Sequence, residues 1–460
     1  MITWQIIIFA YTLWLGFYLI ARNFKNPKLT LTGLGLSAYA LALGLTLLNT
    51  LIEGDSSNGF WTQIQPPILL LPALCWSGVA VHLLSEEHPF RQKLIHHWTR
   101  TFVPLTITLY LLHISLIGLN GDTAITAIVN ALIIGLILLT LVSSFGLLLY
   151  NLQKTKPQRL GMMLALVTLL FGLGIILALF PIVPWLTKST AQLGIGGDLI
   201  LLGLCIAVLD AFDEGEALLP DLIRSFGTTL LAVLMFTGPI ILVITLNVGS
   251  TFSMITLVLA TISIAVFRQT FAAYIEAWLD KLAFTSFPHL QQARAELRTA
   301  SNTLPKIKQS FDPDEISEAE FARLTRKALS HYGDMARLAS SPLTQLPLID
   351  LKLTERGVAD DTLERAAELK SVLTDSIDRL KPRDKGEFGT TDEWRYYNAL
   401  YFPYVQGLKP YSRRAVYDSL DPITKQALSW FQTQVPERTL YNWQNTAAKL
   451  VAQDLREQQI

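Results

Sequence analysis

Charge is what this 460-residue chain has least of: only 16% of its side chains are Asp, Glu, Lys or Arg, and 37 basic residues cancel 37 acidic ones. An ordinary soluble domain carries roughly 25%, so a single soluble enzyme is excluded. The deficit is local. Residues 1–284 hold 13 Lys/Arg and 13 Asp/Glu, about 9% (26 of 284), whereas residues 285–460 hold 24 and 24, about 27% (48 of 176). The chain therefore changes solvent near residue 284. Cysteine is almost missing: Cys75 and Cys205 lie inside apolar runs and match neither metal-ligand spacing nor a disulfide framework. The second half has no phosphate-cradling glycine loop, and it lacks a Gly-x-Ser-x-Gly elbow, a His-Glu-x-x-His helix and a Cys/His nucleophile pair. No enzymatic activity, cofactor or metal is expected. Alternation of apolar and polar residues is also absent, which leaves an all-α fold.

What the first half does have is long apolar runs. Windows near 20 residues can cross hydrocarbon as helices, because a helix satisfies every backbone polar group within the segment. Nine qualify: roughly 2–21, 30–52, 66–84, 102–119, 125–150, 160–181, 190–210, 227–247 and 250–267. Basic residues collect on alternate sides of these windows. Arg22, Lys25, Lys28, Arg91, Lys93, Arg100, Lys154, Lys156, Arg159, Arg224, Arg268 and Lys281 share one side, and the opposite loops hold only Lys188. The positive-inside rule then predicts a polytopic protein of the inner (plasma) membrane, with the N-terminus out and the C-terminal half cytoplasmic. Trp4, Trp61 and Trp185 fall at outer interfaces. The first window lacks a basic lead and a cleavage site and reads as a retained helix.

Polar residues at membrane depth are few. Gln5, His82, His113, Asn130 and Asp198 are the candidates, and a bland interhelix or interfacial role is expected of each. Gly33-Leu34-Gly35, Gly172-Leu173-Gly174 and Gly194-Ile195-Gly196-Gly197 read as close helix contacts. The acidic run Asp210, Asp213, Glu214, Glu216 and Asp221 reads as a solvated helix end or electrostatic spacer. The last window is expected to continue as one helix through Phe267 to Leu279, ending near Pro288.

Beyond it, helical periodicity covers 289–304 and 315–340, where Ile316, Phe321, Leu324, Ala328, Leu329, Tyr332, Met335, Ala336 and Leu338 fall on one inward stripe after a capping box at Ser317 and Glu320, and 360–380, opened by Asp360 or Asp361. His331 ahead of Ser341-Pro342 only echoes a phosphoacceptor helix, since no nucleotide-binding boxes follow. The last 67 residues, 394–460, are aromatic-rich and carry eight basic against five acidic side chains. Asp421-Pro422 opens a helix ending near Gln434, and a second helix starts at Glu437 after a break at Val435-Pro436. Leu440, Trp443, Ala447, Val451 and Leu455 face inward on this last helix, and Arg438, Thr439, Asn442, Asn445 and Lys449 face out.

Two resemblances follow. Residues 1–225, with Arg22-Asn23-Phe24-Lys25-Asn26-Pro27 after the first window and Leu218-Leu219-Pro220-Asp221-Leu222-Ile223-Arg224 after the seventh, resemble the seven-helix N-terminal sensor region of bacterial membrane histidine kinases, with two further spans added. Residues 421–456, through Pro436-Glu437-Arg438-Thr439-Leu440-Tyr441-Asn442-Trp443-Gln444, resemble the helix-turn-helix of winged or sigma-factor-like regulators. Together they imply a one-component membrane sensor and transcription regulator. DNA contacts would come from Arg438, Thr439, Asn442 and Asn445, with Lys449, Arg413 and Arg414 on phosphates. A membrane scaffold or receptor binding a cytoplasmic partner protein is the alternative, and a transporter with a regulatory tail is a third. The other expected partners are the lipid bilayer and a second copy in a homodimer. The organisation expected is a sensor-like bundle over 1–225, two spans and a helical connector over 226–284, a helical region over 285–390 and a basic aromatic module over 391–460.

Overall fold

The computed structural model describes residues 1–52, 60–84, 90–118, 123–151, 158–180, 187–214, 216–248, 251–283, 311, 316–383, 386–412 and 420–458. All regular structure among them is helical. The chain forms two compact units, one made of residues 1–210 and 222–280, the other of residues 211–221 and 281–460.

The elements that lie wholly or mostly in the first unit are α1 (Ile2–Arg22), α2 (Pro27–Ile52), α3 (Phe60–His82), α4 (Arg91–His97), α5 (Val103–Gly118), α6 (Thr123–Asn151), α7 (Gln158–Leu179), α8 (Lys188–Glu214), α9 (Leu218–Val243), α10 (Phe252–Thr270) and α11 (Ala272–Ala283). Among the described residues, eight helical segments are long and apolar enough to cross a membrane, and Leu69–His82 within α3 is a shorter apolar stretch. That is the build of a membrane protein. Arg91, Lys93 and Arg100, expected in a polar break, ride on helix, because α4 passes through a π turn at Trp98–Phe102 straight into α5.

α1 packs against α2 and α10, α2 against α3, and α3 against α5 and α6. Hydroxyl side chains survive in these interfaces by donating one turn back: Thr12 to the Ile8 carbonyl, Thr32 to Lys28, Thr106 to Phe102 and Thr168 to Leu164. The glycine stretches divide by position. A Cβ on Gly33 would meet the Gly16 carbonyl oxygen at 2.5 Å, on Gly35 the Cys75 Cβ at 3.2 Å and on Gly196 the Ile8 Cγ2 at 2.5 Å, whereas Gly194 and Gly197 face open space. The helix expected to run unbroken from Phe267 to Leu279 is interrupted at Phe271, whose φ of −97° and ψ of 15° leave the helical range.

The second unit contains α12 (Glu318–Ser330), α13 (Met335–Ala339), α14 (Pro347–Arg356), α15 (Thr362–Asp378), α16 (Arg395–Leu400), α17 (Pro422–Gln434) and α18 (Glu437–Glu457). Its caps are legible in the sequence: Ser317 accepts from the Glu320 N–H, Asp361 from Leu363 and Glu364, and Asp421 from Thr424. Gly357, at φ 64°, closes α14 in the left-handed conformation that a Cβ disfavours. The helix expected over 315–340 stops at Ser330; a turn over 331–334 reorients the chain, and Met335 and Ala336, placed on the inward stripe by periodicity, are exposed. One core joins Phe321, Leu329, Leu369, Leu373, Trp394, Val451 and Leu455; a second joins Phe402, Ala427, Trp430, Phe431 and Leu440. The helix expected over 289–304 lies outside the described residues.

Candidate functional site

Two constellations in the second unit carry more chemistry than packing requires. The first is built by α12 and the residue that caps its end: Arg323, Lys327 and His331 recur every four residues and so lie along one face. All three meet the segment 211–221. The Arg323 guanidinium donates to the Asp213 carbonyl at 2.9 Å and lies 4.7 Å over the Phe212 ring. Lys327 Nζ pairs with Glu214 Oε1 at 3.0 Å, and His331 Nε2 lies 2.9 Å from Glu214 Oε2. From the end of α13, the Ser340 hydroxyl donates to Glu216 Oε1 at 2.8 Å. Glu214 is 13% exposed and its two partners hold it from one helix face. The reading of the acidic run as a solvated end or spacer is corrected here: Glu214 and Glu216 are clasped by side chains more than 100 residues away.

His331 Nε2 lies close to Glu214 Oε2 without hydrogen-bond geometry, while Lys327 Nζ lies 3.0 Å from Oε1. Burial pushes His331 down to about 4, with the charges of Lys327 and Arg337 adding to the effect and Asp334 opposing it. An unfolded histidine titrates near 6.5. Between those values the unfolded chain holds a proton that the folded unit lacks, so stability falls as pH drops through this window and is complete above it. We expect a loss on the order of 2 kcal/mol between pH 7.5 and pH 4.5, and His331→Gln should remove most of it. Unfolding midpoints of parent and variant at the two pH values check this; equal acid sensitivity in both would assign the loss to other groups.

The second constellation is the C-terminal helix pair. Tyr411 donates its hydroxyl to the Val435 carbonyl at 2.6 Å, and Trp430 stacks on Trp443 at 6.0 Å, which holds α17 and α18 across the short break. Leu440, Ala447, Val451 and Leu455 are buried and Trp443 partly so. Arg438, Asn442 and Lys449 are exposed along one face, joined by Thr446, which sequence reasoning left out. Thr439 is half-buried. Asn445, expected on the outward face, instead accepts from Arg326 Nε at 3.0 Å; it is half-buried because α18 packs broadly against α12. Arg413 and Arg414 lie outside the described residues.

Arg326 was missed by the sequence reading. It also donates to Gln444 Oε1 at 3.1 Å and to the Tyr404 hydroxyl, and stands over the Tyr441 ring at 5.6 Å, while Gln444 donates on to the Ala399 carbonyl. Only proximity in space brings these together, since α12 and α18 are separated by more than 100 residues. Arg323, Arg326, Arg337, Arg356, Arg365, Arg379, Arg395 and Arg456 all have partners within the unit. Arg438 and Lys449 have none among the described residues, so their charge is available to an external ligand. Among the described residues no three His, Cys, Asp or Glu side chains are grouped to hold a metal ion.

No protein-family model matches the chain, and no curated protein or solved structure is similar to it. The likenesses drawn for residues 1–225 and 421–456 stand on those residues alone.

Proposed function

We propose that this protein is a membrane-anchored one-component sensor and transcription regulator. It crosses the inner membrane nine times, counting the 23-residue α3, with its N-terminus outside, its second unit in the cytoplasm and its last helix on DNA. The observation that carries this reading is the membership of residues 211–221. α8 begins among the apolar helices, and its last turn, with the segment after it, belongs to the second unit through Glu214 and Glu216. A change in α8 reaches the output fold through the chain itself, with no separate receiver needed.

The DNA output is supported by Arg438, Asn442 and Lys449, exposed on one face and uncommitted within the unit. Arginine and lysine grip phosphate, and an asparagine amide can pair with an adenine edge. Binding of the full-length protein in nanodiscs to random-sequence duplex DNA, followed across a salt series, tests the reading. Affinity should fall with salt, and Arg438→Ala and Lys449→Ala should each lower the logarithmic slope by about one. Asn442→Ala should leave the slope unchanged and cost ~1–3 kcal/mol on a selected site. If duplex fails to bind even at low salt, the regulator reading fails and the exposed stripe of α18 becomes a surface for a partner protein.

A further inference from the structure

α11 is built inside out for a helix in water. At 100° per residue, Tyr274, Trp278, Leu282, Ile275 and Leu279 fall within an arc of about 140°. Tyr274, Trp278, Leu279 and Leu282 on that arc are exposed, Trp278 by 62%, whereas the residue the helix buries most deeply is Asp280. Twelve residues make about 18 Å of helix, too short for a hydrocarbon core of about 30 Å.

Its position along the first unit is fixed. The Tyr274 hydroxyl donates to the Ala21 carbonyl at 3.1 Å, in the last turn of α1, after which come Arg22, Lys25 and Lys28. Phe17 of α1 packs against both Phe267 and Phe271, so the bend between α10 and α11 is held against the end of α1. α11 therefore starts at the level where the first apolar helix gives way to a basic loop. α10 also exposes apolar side chains, Leu257, Ile264 and Phe267. Arg268 before the bend and Lys281 near the end are exposed and make no ion pair among the described residues.

We propose that α11 is a membrane-surface helix that docks on an anionic lipid interface, with Tyr274, Trp278, Leu279 and Leu282 in the boundary between headgroups and acyl chains and Arg268 and Lys281 on lipid phosphates. Aromatic rings prefer that depth, and a short amphipathic helix with flanking cations binds such a surface in plane. The inference rests on the first unit spanning a bilayer, and the test separates the two.

Nitroxide labels are placed one at a time, through Trp278→Cys, Leu282→Cys, Glu276→Cys and Lys281→Cys, in full-length protein whose Cys75 and Cys205 are replaced by alanine. Leu139→Cys on the exposed face of α6 serves as the membrane control. Each is read in nanodiscs of anionic or zwitterionic lipid by the ratio of oxygen to water-soluble nickel-complex accessibility. Oxygen should dominate at residues 278 and 282 and nickel at 276 and 281, with the labels at 278 and 282 moving shallower in zwitterionic lipid. Nickel dominance at 278 and 282 while residue 139 stays oxygen-accessible overturns the proposal alone; nickel dominance at 139 overturns the membrane reading beneath it. Dipolar broadening between copies at 278, without oxygen preference, assigns the face to a second chain and also overturns it.

Discussion

Arg22→Ala is expected to destabilise the first unit by about 3–5 kcal/mol, the usual cost of leaving a buried charge without its partner. Arg22 Nε donates to Asp210 Oδ2 at 3.0 Å, with only 1% and 5% of the two side chains exposed. The other carboxylate oxygen accepts from Asn26 Nδ2 at 2.8 Å, and Arg22 Nη1 reaches the Tyr18 hydroxyl at 3.4 Å. The pair joins the end of α1 to α8. With Arg22 gone, a buried carboxylate keeps a single neutral donor, far less than ionisation in that environment demands. Asp210→Leu should also destabilise the unit, because Arg22 loses its buried carboxylate partner. The double variant Arg22→Met with Asp210→Leu should recover most of the loss, because apolar replacements remove both desolvation penalties. Lys25 and Lys28 retain the positive charge of the loop in every case. Thermal midpoints in detergent decide the matter: a double variant as unstable as either single one would mean that this ion pair is not what the helices depend on.

Gly33→Val should be the second large effect, separating α1 from α2 at a cost of about 3 kcal/mol, at the upper end of ordinary overpacking. The Cβ alone would stand 2.5 Å from the Gly16 carbonyl oxygen and 2.6 Å from Ile20 Cγ1, and a Cβ on Gly16 would stand 2.8 Å from the Gly33 carbonyl oxygen. A flexible side chain could yield at Ile20, but a helix backbone at Gly16 cannot. Two small residues facing each other are what let these backbones approach in an apolar medium, where contact area rather than water exclusion holds helices together. Gly194→Ala, at a position facing open space, supplies the contrast and should be neutral or stabilising by up to ~1 kcal/mol. Comparable losses in both variants would show that glycine matters here for reasons other than close approach.

The glycine-rich stretches illustrate how far one-dimensional reading goes. Gly33 and Gly35 were legible as contact positions, and both are; Gly194 and Gly197 carry the same signal, yet a Cβ at either would meet only open space. Spacing shows which residues could face a neighbour, but a neighbour has to be there. The capping signals of Ser317, Asp361 and Asp421 needed no such help, because a cap bonds an N–H two or three residues away. The same locality explains the misplacement of Met335 and Ala336: the stripe was extended through a turn at residues 331–334 that periodicity does not register.

The candidate site divides along that line. Arg438, Asn442 and Lys449 were read from the sequence as an outward face, whereas Arg323, Lys327 and His331 stood out only once the structure placed them against Glu214 and its neighbours. Their occupants were not visible. The α12 face is filled by Glu214 and its neighbours from the far end of α8, and Asn445 is drawn inward by Arg326.

The sequence by itself determined the all-helical build, the rise in charge near residue 284, the apolar helices and most helix ends, since each follows from composition or from interactions within a few residues. Only the tertiary structure decided that residues 211–221 belong to the second unit, that Asp210 is buried against Arg22, and which polar side chains on α18 remain free. Those outcomes turn on partners 100 to 200 residues apart. A charged or amide side chain takes whichever burial and hydrogen-bond partner the fold brings to it, and no local pattern specifies that partner in advance.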